Sequence, residues 1–290
     1  MNRRFRSPEK IFDPAAMISD RLRCPYQWAC LDGPAARIAR WSMRLLQGQN
    51  VIVVGGSRGV GRSIAEAALS EGATVLAVAR SEQTLADLAR ETTSVKAFAV
   101  DATVESAPDE VFAALEPDVL VICAGALAPS APLHEQNWEA FSANWETDVK
   151  ASFLFCKAAL RRPLKPGARI VLISSGAALT GGPPNSGGYA GAKRMQMFLA
   201  GHSQKESDRL GLDLRFMALA PMRIMPGTGV GDAGIESISA YMGIRPMEFI
   251  AGILDMQTPA DVGGAVVALA TQKPQGYSFA VSGSGLAPAG

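Results

Sequence analysis

Two side chains four residues apart, the phenol of Tyr189 and the ammonium of Lys193 in Tyr-Ala-Gly-Ala-Lys, could together perform proton chemistry that neither performs alone. On a helix this i, i+4 spacing stands both groups on one face, about a turn apart. A free tyrosine titrates near pH ~10, and bringing it towards neutrality takes roughly 3 units, or about 4 kcal/mol of preferential stabilisation of the phenolate. The positive charge of Lys193 supplies part of that. Tyr189 is then a candidate general acid for reducing a carbonyl, or general base for oxidising an alcohol. A hydroxyl of the upstream pair Ser174-Ser175 would hold the reacting oxygen. Taken alone, Tyr-x-x-x-Lys describes many amphipathic helices, so this reading needs a redox partner elsewhere in the chain.

That partner is implied by Val51–Gly61, VIVVGGSRGVG. Four consecutive aliphatics read as a fully buried strand, and the residues after them as a turn opening a helix. Gly55, Ser57, Arg58, Gly59, Val60 and Gly61 form a candidate cradle for a pyrophosphate at a helix N-terminus. The spacing Gly55-xxx-Gly59-x-Gly61 differs from the usual G-x-G-x-x-G. After the second expected strand comes Ala79-Arg80-Ser81, where an enzyme that prefers a free ribose 2′-hydroxyl would carry an acid. Arg58 and Arg80 offer two guanidinium groups to a 2′-phosphate, which favours NADP (NADPH) over NAD; the alternative is that both are solvated surface residues. Asp101 could accept a hydrogen bond from an adenine amino group, or cap the helix that follows.

These residues need a scaffold, and the pattern around them supplies one. Short apolar runs at 51–54, 75–78, 97–100, 119–122, 170–173, 214–218 and 279–281 alternate with helical stretches at 62–71, 83–92, 108–115, 137–160, 189–210 and 259–271. Such alternation predicts an α/β fold: a doubly wound, Rossmann-like parallel sheet of about seven strands with helices on both faces. In such a sheet the C-terminal strand ends share one edge, where ligands bind. Gly55, Arg80, Asp101, Gly125 and Ser175 all follow a strand directly.

The chain has 290 residues, 48% hydrophobic, with formal net charge +1. That balance gives no electrostatic footprint for nucleic acid or an anionic membrane, so a small molecule is the expected partner. No apolar run reaches the roughly 18–20 residues of a membrane span. With His134 and His202 the only histidines and no cluster at ligand spacing, no metal is expected. Cys24, Cys30, Cys123 and Cys156 lack C-x-x-C pairing and read as thiols of a reducing compartment, hence a cytoplasmic protein. Residues 1–42 differ from the rest: eight Lys/Arg face four Asp/Glu, and Pro8, Pro14, Pro25 and Pro34 interrupt any helix before a short one around 35–46. We expect the nucleotide-binding domain to occupy 43–290, with 1–42 a weakly structured extension or a non-native start. Organelle targeting is the competing reading, disfavoured by the acidic residues.

With the glycine turn, Cys123-Ala124-Gly125, Ser174-Ser175 and Tyr189-xxx-Lys193 together, the chain from Met43 onward resembles the short-chain dehydrogenase/reductase family. The resemblance implies hydride transfer between a nicotinamide and a carbonyl or alcohol, and a homodimer or homotetramer, here through the two long helices. It assigns substrate orientation to Ser175, proton transfer to Tyr189, and to Lys193 both the tuning of Tyr189 and binding of the nicotinamide ribose. Ser174 fits less well, because even the Ser175–Tyr189 interval is one residue longer than common.

Three departures accompany the resemblance. Asp148 stands where the family carries an asparagine that supports a water relaying protons to the lysine; a carboxylate could hold that water and stabilise Lys193, but only accepts hydrogen bonds. Ile122-Cys123 replaces the polar half of Asn-Asn-Ala-Gly, while Ala124-Gly125 keeps the half that lets the chain pass the cofactor. Pro221-Met222 replaces Pro-Gly; Ile224 matches the residue whose backbone meets the carboxamide, and the usual threonine is displaced to Thr228. Residues 222–256 should form a lid, methionine-rich for packing or for an apolar substrate, with hinge-like freedom from Gly227, Gly229, Gly231 and Gly234. The departures also motivate a second reading, a catalytically weak NADP-binding regulator of the same fold; a sugar or acyl-carrier reductase is a third.

Overall fold

In a computed structural model, which describes residues 44–92, 94–127 and 129–289, the strands form around the β-branched runs and the helices around the apolar stripes. The strands are β1 (Asn50–Val54), β2 (Thr74–Ala79), β3 (Val95–Ala99), β4 (Val119–Ile122), β5 (Arg169–Ile173), β6 (Arg215–Pro221), β7 (Ser278–Ser282) and β8 (Gly285–Pro288). The helices are α1 (Gly59–Ser70), α2 (Glu82–Glu91), α3 (Ala107–Ala114), α4 (Trp138–Asn144), α5 (Lys150–Arg161), α6 (Ala177–Thr180), α7 (Gly187–Leu210), α8 (Gly229–Met242), α9 (Pro246–Ala251) and α10 (Pro259–Thr271). The expected extension at 1–42 lies outside the described residues.

The sheet order is β3-β2-β1-β4-β5-β6-β7-β8, parallel through β7, with β8 antiparallel at the edge. The order reverses between β1 and β4, so the crevice at their C-terminal ends is the switch point of the doubly wound sheet. Alternation along each strand splits the core into two layers. Val51 and Val53 pack with α1, α2 and α10, whereas Ile52 and Val54 pack with α3, α5 and α7. Phe112 of α3 meets Phe155 of α5 edge to face, ring centroids 5.9 Å apart. Burying each such side chain contributes about 1.5–3 kcal/mol, which is why continuous apolar runs suffice to specify the strands.

Four features differ from expectation. The eighth strand, a short and largely exposed edge, carries too little apolar signal to stand out. The single helix expected over 137–160 is interrupted by a π-turn at Trp145–Val149, between α4 and α5. In the lid, where no helix stood among the expected elements, α8 and α9 form: Thr228 caps α8 by accepting from the Gly231 amide, 3.0 Å, and Asp232 sits in its first turn. Finally, Gly229, Gly231 and Gly234 lie within α8 rather than acting as hinges. At Gly231 a β-carbon would collide with the Met225 carbonyl, and at Gly234 it would sit 2.8 Å from Ile224 Cδ1. These glycines serve close packing, while Gly227 alone of the four keeps a left-handed φ of 80°.

Helix α10 crosses α1 through Gly263, whose absent β-carbon would lie 2.9 Å from Ala67 Cβ and from the Ser63 carbonyl oxygen. Its neighbour Gly264 is exposed and would meet nothing within 4 Å. Gly264→Ala should therefore stabilise the protein by about 0.5–1 kcal/mol through helix propensity, and Gly263→Ala should destabilise it by about 1–3 kcal/mol through overpacking. Thermal melts of the two single variants check this pair; a melting temperature lowered by Gly264→Ala would contradict the first assignment.

Candidate active site

The nucleotide turn is shaped by contact between neighbouring strand ends. Gly55 adopts φ 86°, and a β-carbon there would lie 2.6 Å from the Ala124 amide nitrogen and 2.8 Å from the Cys123 carbonyl carbon. Its own amide and that of Gly56 donate to the Val78 carbonyl, at 2.7 and 3.1 Å. At Gly61 a side chain would strike the Gly55 carbonyl oxygen. Gly59 turns into α1 with φ 53°, and nothing lies nearer to its absent β-carbon than Thr228 Cβ at 3.7 Å. The first turn of α1 has no acidic residue, leaving its positive end free of competing charge. This cradle, together with half-buried Ser57 and Val60, fits a pyrophosphate.

Around it, Arg58 and Arg80 are exposed and make no ion pair among the described residues. Asp101 accepts from the Thr103 amide and hydroxyl, at 2.9 and 2.8 Å. Those bonds, with help from the nearby Arg80 charge, hold its carboxyl below the usual aspartate value. The bonds close a local turn; Ser106, not Asp101, occupies the N-cap of α3.

Lys193, Asp148 and the Tyr189 ring come together beside the ends of β4 and β5. Lys193, only 7% exposed, places Nζ 3.0 Å from Asp148 Oδ2, and Asp148 is 1% exposed. No well-angled hydrogen bond accompanies that approach, so the contact is ionic. Nζ also donates to Gln196 Oε1 at 3.0 Å and to the Ile173 carbonyl at 3.2 Å. The ammonium stands 5.7 Å from the centroid of the Tyr189 ring. Burial by itself pulls Lys193 down, but the Asp148 carboxylate and Tyr189 outweigh it and hold the ammonium above the ordinary lysine value. Ser174 donates to the Lys193 carbonyl, 2.8 Å, which makes it a buried strut between β5 and α7. Ser175 is half-buried, accepts from the Ala177 amide at 3.3 Å, and its proton has no acceptor among the described residues.

Asp148 also explains Gly125. A β-carbon there would lie 2.8 Å from Asp148 Oδ2, so this glycine makes room for the carboxylate, whatever it does for a cofactor. The other carboxylate oxygen accepts from the Ala126 amide at 2.9 Å and from Asn144 Nδ2 at 3.4 Å. Beside the site, burial pushes the Cys123 thiol up to about 11, and it stays protonated at neutral pH.

After β6, the Met222 backbone passes against Gly176, whose β-carbon would be 3.0 Å from Met222 Cα. Pro221 ends β6, and Ile224 points its Cδ1 at α8. The Thr228 hydroxyl donates to the Met225 carbonyl, 2.8 Å, as it caps α8, so its proton is committed within the protein. Gln257 receives the Arg223 amide at 3.0 Å and donates to Val281 at 2.9 Å, tying the two ends of the lid. Sequence reasoning passed over Gln196, Asn144 and Gln257. Only Gln196 left a readable signal: Tyr189, Lys193 and Gln196, at i, i+4 and i+7, form one helical stripe.

A doubly wound sheet with a glycine-lined turn at its switch point, and a Tyr-Lys pair beside the ends of its strands, has the form of a nucleotide-binding oxidoreductase fold. The family model for short chain dehydrogenases matches residues 49–228, and the chain belongs to that family, whose members use nicotinamide cofactors. It is 30% identical over 242 residues to a short chain dehydrogenase of Pseudocercospora fijiensis, covering 77% of this chain and 76% of that protein. It is also similar to L-xylulose reductase of Bos taurus, 29% identical over 129 residues, and to D-threitol dehydrogenase of Mycolicibacterium smegmatis, 32% identical over 146 residues. Those two alignments cover 44% and 47% of this chain, and 53% and 55% of the relatives.

Removing one member of a buried ion pair strands the other, at a cost of about 3–5 kcal/mol. Asp148→Asn should therefore lower unfolding stability at pH 7 by about 3 kcal/mol. Because Lys193 is held above the ordinary value, the contribution of the pair is complete below pH ~10.4 and lost as pH rises through the raised value. Denaturant titrations should thus find a constant gap between parent and variant from pH 6 to 9 that narrows at higher pH; equal stabilities at pH 7 would show that the pair contributes nothing.

Proposed function

We propose that this protein is an NADP(H)-dependent reductase of small carbonyl compounds, or the corresponding alcohol dehydrogenase, with Tyr189 as general acid or base. The observation that carries the reading is the buried Lys193 ammonium, pinned beside Asp148 and standing over the Tyr189 ring. A fixed positive charge stabilises negative charge on the phenol oxygen as its proton leaves, and low surrounding polarity strengthens the effect. Ser175, on the neighbouring strand end, orients the substrate oxygen. When bound, the nicotinamide supplies or accepts the hydride.

The turn from Gly55 to Gly61 would hold the pyrophosphate, Asp101 the adenine, and Ala124 and Gly125 would flank the nucleotide as it crosses the strand ends. Pro221 and the Ile224 backbone would face the carboxamide, and Thr228 would border the pyrophosphate through its position near Gly59. The choice of NADP rests on Arg58 and Arg80, exposed and without an ion-pair partner among the described residues. The names of the relatives, a ketopentose reductase and a tetritol dehydrogenase, support a small carbonyl or alcohol as substrate. Among the described residues no helix is long and apolar enough to cross a membrane, and Cys123 and Cys156 are free thiols. These support the cytoplasm as the compartment. Exposed Phe153 on α5 and Phe198 on α7 support self-association through those helices. The second reading, a weakly catalytic NADP-binding regulator, is favoured by one observation: the Lys193 ammonium faces three protein oxygens, so binding a ribose requires one of them to yield.

Fluorescence titration with NADPH followed by assays on ketones, ketoses and polyols separates the two. Tyr189→Phe should leave NADPH affinity within about twofold and lower turnover by at least about 10²-fold, the scale of a positioned general acid; near-normal turnover would reject the assignment. Replacing Arg58 and Arg80 together by alanine should reduce the preference for NADPH over NADH about tenfold or more. An unchanged ratio of the two affinities would remove the basis for NADP.

A further inference from the structure

Gln196 is wholly buried on α7, and each end of its amide has a defined partner. Nε2 donates to Ser152 Oγ at 2.8 Å and to the Asp148 main-chain carbonyl at 3.3 Å. Ser152, itself wholly buried, donates to the same carbonyl at 2.7 Å. Those two acceptors fix the amide so that its carbonyl oxygen faces Lys193 Nζ, 3.0 Å away. The main chain at Asp148 that anchors this arrangement lies inside the π-turn, and π-turns within helices are frequent at functional sites. The extra residue there alters the helical phase between α4 and α5, and in this phase Asp148 offers its carboxylate to Lys193 and its carbonyl to Gln196.

We propose that Gln196 is a positioning residue for the reaction: anchored on Ser152 and the π-turn, it clamps the Lys193 ammonium between itself, Asp148 and the Ile173 carbonyl, and so fixes the charge that serves Tyr189. The inference rests on the function proposed above. A lysine ammonium has three N–H donors; Gln196 and the Ile173 carbonyl accept from this one, and the Asp148 carboxylate approaches it as counter-charge, so groups from three different segments surround it. In this chain the charge is therefore aimed by protein groups on every side. The titratable groups that face it are Asp148, Tyr189 and Cys123. Of Gln196, Ile173 and Asp148, only Gln196 contributes a neutral side chain, so it can be replaced without changing the charge of the site.

Gln196→Met, which keeps length and volume but removes the acceptor, is the test. We expect kcat to fall about tenfold with KM for NADPH within about twofold. In the direction of carbonyl reduction, the alkaline limb of the kcat profile should move about one pH unit higher, because an ammonium less firmly placed stabilises the Tyr189 phenolate less. Ser152→Ala, which loosens the anchor without touching Lys193, should move both quantities the same way by a smaller amount. A kcat within twofold of the parent and an unmoved alkaline limb in Gln196→Met would overturn the proposal. A crystal structure of Gln196→Met reads the clamp without turnover: Nζ displaced by about an ångström or more supports it, and Nζ unmoved from Asp148 and Ile173 overturns it. If the parent reduces or oxidises nothing on the panel, the proposed function fails by that result alone, and the crystal structure still decides whether Gln196 holds the lysine.

Discussion

A carboxylate and an ammonium that meet almost completely out of water impose the tightest constraint in this molecule. Each would be costly to bury alone, so both must arrive in register, and they come from different parts of the chain. Asp148 lies in the π-turn between α4 and α5, and Lys193 on the second turn of α7. The ends of β4 and β5 close the pocket through the Ala126 amide and the Ile173 carbonyl. Gly125 has no side chain because the carboxylate occupies that space. The pair thereby couples the strand ends that line the nucleotide crevice to the helix that carries the phenol.

The same economy of space recurs across the sheet edge. The turn after β1 presses its backbone on the chain leaving β4, at Gly55, and the turn after β5 presses on the chain leaving β6, at Gly176. In a parallel sheet every strand ends on this edge, so loops bearing chemistry must pass within van der Waals contact of one another. Glycine is placed where two backbones cross. The lid obeys the rule as well, since α8 begins beside Gly59 and packs Gly231 and Gly234 against Met225 and Ile224 of the loop that leads into it.

Much of this was legible from residue types. Continuous aliphatic strands and amphipathic helices announce themselves because burial of apolar area, the largest favourable contribution, is encoded position by position. The runs at 119–122 and 259–271 coincide with β4 and α10 to the residue. What escaped was decided by tertiary contact. Glycines at 229, 231 and 234 argue against a helix locally, yet at 231 and 234 close packing against Met225 and Ile224 overrides their low propensity. The π-turn has no local signature in Trp-Glu-Thr-Asp-Val, because it is set by what Asp148 must reach. Likewise Thr228 occupies the expected neighbourhood of the nucleotide turn, but its hydroxyl is spent on the helix it caps. That Tyr189 and Lys193 share one helical face could be read from spacing; the buried amide beside the lysine could be found only once Ser152 and Asp148 were brought beside it.

The departures from the family pattern bear on whether this site works or has merely persisted. A decayed site accumulates changes that leave their neighbours unaccommodated. Here the carboxylate at 148 is met by an ammonium and a backbone amide. Buried ion pairs are poor devices for stability, since apolar residues of equal volume commonly serve as well or better. A fold that keeps one, and surrounds its ammonium with an oriented amide and a main-chain carbonyl, retains a charge at a fixed place beside a phenol. That placement is what proton transfer at Tyr189 requires, and stability alone gives no reason for it.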